Sequence, residues 1–269
     1  MPELPEVETV VRALRPVLEG RRLARVVARR PDLRWPLPQG LGQRLTGARV
    51  QAITRRAKYG LLSTDRGETL IFHLGMSGRL RLDAPGDGAH DHVLFETGEG
   101  RRIVFTDPRR FGMLDLWPSD RLGEHRLLAA LGAEPLGADL GPLLARALAG
   151  RIAPVKALLL DQRIIAGVGN IYACEALWRA RVRPDRLAGT LKPAEVARLA
   201  AAIPDVLGAA IAAGGSSLRD HVQPDGTLGM FQHSWAVYGR SGSTCPKGHP
   251  VERLVQSGRS SFFCPRCQR

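Results

Sequence analysis

The first residues of the chain combine a potential nucleophile with two carboxylates. Met1 is followed by Pro2 and Glu3, and Glu6 comes one helical turn later. If Met1 is removed, Pro2 presents a secondary amine, and an α-amino group is partly uncharged near neutral pH. Such an amine can attack an anomeric carbon to form an iminium ion, while a neighbouring carboxylate transfers protons. The same residues also suit an ordinary helix start, because proline and acidic side chains are favoured in a first turn.

Three of the four cysteines lie in the last 25 residues, together with a histidine. Cys245 and His249 form one pair, and Cys264 and Cys267 form a second pair with the spacing Cys-x2-Cys. Thiolates and imidazoles arranged in two such pairs can surround one tetrahedral Zn²⁺ ion. We therefore predict a zinc ribbon with one structural zinc ion. The alternative is a metal-free hairpin with incidental thiols.

A glycine-rich turn, Gly167-Val168-Gly169-Asn170, separates two segments predicted to be helical. Glycines allow a close backbone approach, and the Asn170 amide with the following helix N-terminus can hold a phosphate. The alternative is a tight turn between helices with Asn170 as the N-cap, and the two interpretations are compatible.

Three other turns carry cationic or apolar side chains. Lys58 follows a pair of arginines, Met76 lies in a Gly-Met-Ser-Gly turn, and Arg109 and Phe111 share a turn that starts at Asp107. Proteins that extrude a base from a duplex fill the gap with apolar or planar groups of this kind. Read singly, each segment is also an ordinary solvated turn.

The composition shows which partners such groups could meet. The chain has 269 residues, 39 Lys and Arg against 26 Asp and Glu, a formal net charge of +13 and a pI near 10.8. This balance favours a polyanionic partner, nucleic acid first and an acidic membrane surface second. No apolar stretch approaches the length of a membrane span, and the acidic N-terminus does not resemble a secretory signal, so we expect a cytoplasmic protein.

The elements that must position these groups change type along the chain. A short helix is predicted from Pro5, and short strands broken by Gly and Pro are predicted between about residues 23 and 117, which suggests a β-sandwich. From about residue 122 the pattern becomes helical, with a long apolar stripe between Val196 and Ile211 that ends at Gly214-Gly215. A small basic module follows residue 239.

Nine segments, in one order, resemble the formamidopyrimidine-DNA glycosylases, bacterial enzymes that act on 8-oxoguanine and are also abasic-site lyases. The segments are PELPEVETV, RRAKY, HLGMSG, HDHV, DPRRFG, LLLDQRIIAGVGNIYACEAL, AGGSSLRDHVQPDG, VYGR and GRSSFFCPRCQ. They run from residue 2 to residue 268, so the resemblance covers essentially the whole chain.

The resemblance implies an α+β protein with three parts. These are a β-sandwich domain with an N-terminal helix over residues 1–121, a helical helix–two-turn–helix domain over 122–238, and a zinc-finger β-hairpin over 239–269. It also implies removal of oxidised purines, 8-oxoguanine and formamidopyrimidines, from duplex DNA through a Schiff base on Pro2. β,δ-Elimination would follow. The expected form is a monomer in the bacterial cytoplasm, associated with the nucleoid and not with a membrane.

The resemblance also assigns roles residue by residue. Catalytic roles fall on Pro2 as nucleophile, Glu3 as acid and base, Lys58, and Arg259, which also grips phosphates. The pocket for the damaged base takes Glu6, Glu175, Ser217 and Tyr238, with a loop over residues 216–238 closing over it. Contacts with DNA fall on His73, Met76, His92, Arg109, Phe111, Lys156 and Asn170, among which Met76, Arg109 and Phe111 fill the gap left by the flipped base. Zinc falls on Cys245, His249, Cys264 and Cys267.

One segment departs from the family pattern, and three alternatives stand beside it. The first zinc knuckle is usually Cys-x2-Cys, but position 248 is Gly, so either His249 replaces the missing thiolate or only three ligands remain. The sister family, endonuclease VIII, prefers oxidised pyrimidines and has Gly in place of Leu4; LPEVE and GGSSLRD favour the purine enzyme. The others are a non-catalytic zinc-ribbon DNA-binding protein, opposed by Pro2–Glu3 and Lys58, and a polyanion-binding ribosome or membrane-surface factor.

Overall fold

The computed structural model describes residues 1–217 and 222–269, and the chain divides into two compact units. The first unit comprises Met1–Ala129 and Ala213–Gln232, and the second comprises Ala130–Ala212 and His233–Arg269. Positions 218–221 of the predicted loop 216–238 lie outside the described residues. The mixed α+β class predicted from the sequence is confirmed, while the domain limits at residues 121 and 238 stay predictions.

The first unit begins with helix α1, Leu4–Leu18, where the sequence predicts a helix. Val7, Val11 and Leu14 recur at helical spacing and are buried, because this face packs on the core of the unit. A reciprocal capping box closes the helix start. The side chain of Glu3 accepts the backbone N–H of Glu6, and the side chain of Glu6 accepts the backbone N–H of Glu3.

Eight strands of the first unit form two antiparallel four-stranded sheets, with strand orders β1-β6-β7-β5 and β2-β3-β4-β8. Apolar side chains of both sheets and of α1 share one core cluster, so the predicted β-sandwich is confirmed. The strands are β1 Leu23–Ala28, β2 Val50–Arg56, β3 Tyr59–Thr64, β4 Glu68–His73, β5 Arg79–Leu82, β6 Asp91–Thr97, β7 Arg102–Thr106 and β8 Met113–Pro118, and a short helix α2 is Leu41–Leu45.

The second unit is helical apart from one hairpin. Its helices are α3 Leu140–Leu148, α4 Val155–Leu159, α5 Asn170–Ala180 and α6 Pro193–Ala212, and its strands are β9 Glu252–Gln256 and β10 Arg259–Phe263. The two residues between these strands, Ser257 and Gly258, both have positive φ, as a two-residue type I′ hairpin turn requires. Across the described parts of the chain, no helix is both long and apolar enough to cross a membrane.

Candidate functional site

The amino-terminal residues proposed for chemistry are buried in the first unit. Pro2 is buried, and Glu3 and Glu6 are only 4% and 2% exposed. One carboxylate oxygen of Glu6 accepts the backbone N–H of Glu3 at 2.8 Å, and the other accepts the backbone N–H of Ser216, also at 2.8 Å. A single side chain therefore joins the helix start that carries Pro2 to a segment 210 residues later.

The segment around Ser216 packs closely against the segment around Gly229, and both segments need a glycine at the point of contact. Gly215 has a φ of +81°, and a β-carbon there would lie 3.2 Å from a carboxylate oxygen of Glu6. A β-carbon on Gly229 would lie 2.3 Å from the carbonyl oxygen of Gly215, which no side chain can tolerate. Ser217 Oγ accepts the backbone N–H of Gly229 at 2.8 Å. At the base of the predicted loop 216–238, the backbone of Gly215 thus contacts that of Gly229 directly.

His73 lies at the end of β4 and is uncharged at neutral pH. Burial, and then the positive charges of Lys58, Arg34 and the chain's amino terminus, lower the pKa of His73 from 6.5 to about 4. Its Nδ1 accepts the backbone N–H of Gly75 at 3.0 Å, so the remaining proton is on Nε2. Lys58 lies in the turn between β2 and β3 and is also buried, with 6% of its surface exposed. His73 can therefore offer a hydrogen bond, rather than a charge, to a phosphate.

Met76, Arg109 and Phe111, the wedge residues predicted to fill the gap left by a flipped base, lie in two turns that share one buried carboxylate. Asp107 is fully buried and accepts the Ser77 hydroxyl at 2.5 Å and the backbone N–H of Gly112 at 2.7 Å. Ser77 Oγ in turn accepts the backbone N–H of Arg109 at 3.1 Å. The buried His92 donates its Nε2–H to the Asp107 carbonyl at 2.8 Å. His92 thus supports these turns in this structure.

The wedge side chains themselves differ in exposure. Phe111 is 45% exposed, unusual for a large apolar side chain, and the exposed Arg109 guanidinium stands 4.9 Å from the centroid of its ring. Met76 is half-buried in the neighbouring turn. Gly75, with a φ of +62°, packs on the Phe111 backbone, where a β-carbon would come within 2.3 Å. The turns of Met76 and Phe111 are therefore in direct contact.

In the second unit, Lys156 is buried with 1% exposed, although the sequence predicts a phosphate contact for it. Its ammonium donates to Asn170 Oδ1 at 2.6 Å, to Ser261 Oγ at 2.6 Å and to the carbonyl of Ser260 at 3.2 Å. The Asn170 amide donates to the same carbonyl at 2.9 Å. Lys156 thus connects α4, the start of α5 and the β9–β10 hairpin.

Asn170 is the first residue of α5, and Gly169 occupies the cap position, so the N-cap alternative for Asn170 is wrong. The exposed Arg259 starts β10 beside the type I′ turn. Arg259 and Lys156 both line a cavity of about 240 Å³, together with Gln256 and Ser257. Groups predicted to grip phosphates thus share one cavity.

Glu175 on α5 is buried, and its carboxylate accepts three consecutive backbone N–H groups. These belong to Ala236 at 2.8 Å, Val237 at 3.0 Å and Tyr238 at 2.8 Å. Burial raises the pKa of Glu175, and the three N–H donors lower it. Tyr238 also packs edge-on against Trp235. Two predicted pocket residues, Glu175 and Tyr238, are therefore in direct contact.

The four predicted zinc ligands form one cluster. The ligand atoms of Cys245, His249, Cys264 and Cys267 all lie within 4.8 Å of one another. The sulfurs of Cys245 and Cys267 are 3.8 Å apart, and His249 Nδ1 is 3.3 Å from Cys267 Sγ. Tetrahedral bonds of about 2.3 Å to sulfur place neighbouring sulfurs roughly 3.8 Å apart. Three thiols and an imidazole fit one structural zinc ion, which they would hold in a closed site.

Sequence profiles match almost all of the chain. The N-terminal domain of formamidopyrimidine-DNA glycosylase matches residues 1–114, its H2TH domain matches residues 131–222, and the zinc finger found in FPG and IleRS matches residues 242–269. The chain belongs to the formamidopyrimidine-DNA glycosylase family. The family is one of DNA-repair glycosylases that bind DNA and carry a zinc finger.

Relatives of this glycosylase family align over full length. The formamidopyrimidine-DNA glycosylase of Rhizorhabdus wittichii is 57% identical over 270 residues, covering 100% of both chains. The crystal structure of the MutM (Fpg) protein of Thermus thermophilus is 45% identical, with a TM-score of 0.89 and coverage of 99% of this chain and 98% of that one. A Lactococcus lactis FPG mutant in complex with Fapy-dG-containing DNA is 34% identical, with a TM-score of 0.91 and full coverage of both chains.

The sequence motifs did not indicate several of the groups that support the predicted site residues. The sequence missed Ser77, Asp107 as a scaffold, and Ser216. Asp107 lies within the DPRRFG segment and could have been found there, because a buried acid between strands needs donors. Ser216 meets Glu6 through its backbone N–H, which every residue type except proline supplies.

Proposed function

We propose that this formamidopyrimidine-DNA glycosylase removes oxidised purines, 8-oxoguanine and formamidopyrimidines, from duplex DNA and then cuts the strand by β- and δ-elimination. One observation carries the proposal: the buried Pro2–Glu3 pair shares the Glu6 carboxylate with the base of the loop that follows Ser216. The proposal is supported by relatives crystallised with Fapy-dG-containing and abasic-site-containing DNA.

The chemistry starts after Met1 has been removed. The Pro2 lone pair forms a bond to C1′, the bond from C1′ to the base breaks with its electrons on the base, and the amine loses its proton. Glu3 supplies a proton to the ring oxygen as the sugar opens to an iminium ion, and then accepts one. Loss of a C2′ proton expels one phosphate, a second elimination expels the other, and water then hydrolyses the bond between Pro2 and the sugar remnant to regenerate the amine. The gap therefore ends in a phosphate on each side.

Lesion recognition falls to residues of both units, each anchored within its own unit. In the first, Glu6 fixes the segment at Ser216, and Ser217 is held by Gly229 at the loop base. In the second, Glu175 fixes the backbone of Tyr238. We assign to each of these side chains a role in recognising the extruded base. Met76, Arg109 and Phe111 fill the stack that the base leaves.

Phosphate contacts follow from charge and position. Lys58 lies near His73, and in this scheme the uncharged His73 donates a hydrogen bond to a phosphate. His92 supports the wedge turns. Arg259 and Asn170 face phosphates directly in this scheme. The buried Lys156 orients Asn170 and the Ser260 carbonyl and adds its charge from behind them. Arg259 also assists catalysis by fixing the phosphates beside the lesion.

The remaining assignments concern the whole protein. One zinc ion on Cys245, His249, Cys264 and Cys267 stabilises the hairpin that presents Arg259 and takes no part in the reaction. We assign the catalytic sandwich to residues 1–121, the helix–two-turn–helix domain to 122–238 and the zinc finger to 239–269. The protein acts as a monomer on nucleoid DNA in the bacterial cytoplasm.

Borohydride trapping on a duplex with one 8-oxoguanine opposite cytosine tests the nucleophile and the substrate together. We expect the sugar remnant on residue 2, after loss of Met1, in the mapped peptide. Glu3→Gln should slow excision by about 10²–10⁴-fold and retain DNA binding, because acid–base catalysis contributes that much. An adduct on Lys58 or another lysine would contradict the assignment of Pro2.

Substrate preference needs a second lesion, because wild-type Lactococcus lactis FPG has been crystallised with DNA containing an oxidised pyrimidine. The same duplex with an oxidised pyrimidine in place of 8-oxoguanine provides the comparison. We expect faster single-turnover excision of the purine. A faster pyrimidine reaction would refute the purine preference while leaving the glycosylase assignment intact.

A further inference from the structure

Two arginines and a tryptophan of the first unit form a stack, and none of the three has a role in the proposed reaction. The guanidinium carbon of Arg34 lies 4.9 Å from the centroid of the Trp35 ring, and that of Arg126 lies 4.5 Å from the same centroid. A guanidinium over an indole ring is held there by cation–π attraction. The ring therefore gathers two positive charges in one place.

Neither charge is neutralised by a carboxylate among the residues that the structure describes. Arg34 and Arg126 are exposed, and over residues 1–217 and 222–269 neither forms an ion pair with a carboxylate. Other exposed arginines of this unit do have such partners, as Arg101 has in Asp83. Two like charges close to one ring repel each other, and an anion bound by either guanidinium group would relieve the repulsion.

The backbone around the stack is fixed. Arg34 donates its backbone N–H to the carbonyl of Gly112 at 3.3 Å, which ties it to the turn of Phe111. Arg126 follows His125, which is fully buried and has its Nε2 3.1 Å from a carboxylate oxygen of Asp115. A ligand that binds the two guanidinium groups would therefore meet groups with little backbone freedom to lose.

The stack also borders the proposed excision site within the same unit. The positive charge of Arg34 contributes to the low pKa of His73. The charges of Arg34 and Arg126 oppose the rise that burial causes in the pKa of Tyr59, whose ring centroid is 5.0 Å from that of His73. The two guanidinium groups are thus neighbours of the β3 and β4 residues beside Lys58.

We propose that Arg34, Trp35 and Arg126 form a subsite for phosphodiester groups of the DNA backbone, one for each guanidinium group. Planar guanidinium groups donate paired hydrogen bonds to phosphate oxygens, and the indole ring keeps both groups in position. The proposal rests on the proposed function for its partner, duplex DNA. It adds a backbone contact next to the wedge turn and the catalytic residues.

The salt dependence of DNA binding tests the subsite. The probe is a duplex with one tetrahydrofuran abasic analogue, titrated between 50 and 200 mM salt with wild type, Arg34→Ala, Arg126→Ala and the double variant. Each lost phosphate contact lowers the slope of log affinity against log salt by about 0.9. The affinity ratio between the two salt concentrations should therefore shrink by about 3.5-fold for one arginine and about 12-fold for both.

Two controls separate a subsite from a general effect of charge. Arg25→Ala removes an exposed charge from β1 of the same unit, and it should leave the slope nearly unchanged. Trp35→Leu keeps both charges but removes the ring, and it should reduce the slope as a single arginine variant does. Equal slopes for Arg25→Ala and Arg34→Ala, or a wild-type slope for the double variant, would overturn the proposal.

Two further measurements identify the ligand and isolate the outcome. Binding of inorganic phosphate that both arginine variants lose, with an unchanged slope for DNA, would show a free-phosphate site and refute the DNA assignment. Excision of 8-oxoguanine is measured in parallel with the wild type. A protein that binds the abasic duplex with the expected slopes but excises nothing would refute the proposed function and support the subsite.

Discussion

Each of the two units buries a glutamate that holds the backbone of a distant segment, but the two glutamates serve different neighbours. Glu6 of the first unit divides its oxygens between the N–H of Glu3 and the N–H of Ser216. Glu175 of the second unit gives both oxygens to three consecutive N–H groups, of Ala236, Val237 and Tyr238. One carboxylate thus connects the proposed reacting group to the segment at Ser216, and the other fixes a single segment.

This difference shows how the same buried hydrogen bonds can affect either chemistry or stability. Because Glu6 contacts the residue next to Pro2, any change in its position moves the proposed nucleophile. Because the partners of Glu175 are all backbone groups of one segment, its loss should loosen that segment without touching the N-terminus. Variants that disturb one unit at a time show whether each effect stays within that unit.

The largest effect is expected at the zinc cluster of the second unit. His249→Ala removes a predicted metal ligand. Loss of a residue that only hydrogen-bonds to a ligand typically lowers metal affinity by about 10–100-fold, so loss of the ligand itself should lower zinc affinity by more than this. Zinc is measured by competition with a chromophoric chelator, and DNA binding should weaken because Arg259 lies on the adjoining hairpin. Lys247→Ala, an exposed change in the same knuckle, is the control. One tightly bound zinc ion in His249→Ala would show that three thiolates suffice.

The next effect belongs to the first unit and depends on pH. The folded-state pKa of His73, about 4, lies below its ordinary value of 6.5, so between these values the unfolded chain binds the extra proton. Stability should therefore fall as the pH drops from about 6.5 to about 4, by up to about 3 kcal/mol. Urea unfolding of His73→Gln should lack this part of the pH dependence.

His90 provides the matched control for that experiment, because it is an exposed histidine of the same unit. His90→Gln should retain the wild-type loss of stability in acid. If His73→Gln and wild type lose stability equally between pH 6.5 and 4, His73 is not held neutral by its surroundings.

The comparison itself is tested by Glu6→Gln and Glu175→Gln, which keep the side-chain shape and lose acceptor capacity. A buried N–H without a partner costs about 1–3 kcal/mol. For Glu6→Gln we expect this cost mainly as single-turnover excision slowed by about 10–100-fold. For Glu175→Gln we expect it mainly as a lower free energy of unfolding, with near-normal excision by the folded protein. If both variants lost excision rate to a similar extent and Glu175→Gln were not destabilised, the two glutamates would not differ in the way that we propose.

The smallest effect is expected at Ser77, whose hydroxyl joins Asp107 to the backbone of Arg109. Ser77→Ala should cost about 1 kcal/mol and slow excision from a duplex by roughly 5-fold, because the wedge turns lose one tie. Strand cleavage at a pre-formed abasic site should change less, since no base has to be displaced there. Ser63→Ala, which removes a hydroxyl from β3, serves as the control. Equal slowing on both substrates would assign Ser77 to general stability rather than to the wedge.

Local sequence signals were sufficient for many elements. The short strands predicted between about residues 23 and 117 include β4, Glu68–His73, and the apolar stripe ending at Gly214 predicted α6. The short helix α2, Leu41–Leu45, was not predicted, because five residues give too little periodicity to separate a helix from a turn. The burial of Lys156 was also not foreseen, since its acceptors lie up to 105 residues away.

The sequence by itself determined the family, and it predicted the Pro2–Glu3 pair and the cysteine and histidine ligands, because the proposed roles depend on residue type at short spacing. Only the tertiary structure decided that Glu6 holds Ser216, that Asp107 supports both wedge turns and that Arg34 and Arg126 share the ring of Trp35. The physical reason is the same in each case. A backbone N–H carries no residue identity, and burial, charge proximity and pKa depend on neighbours that only folding brings together.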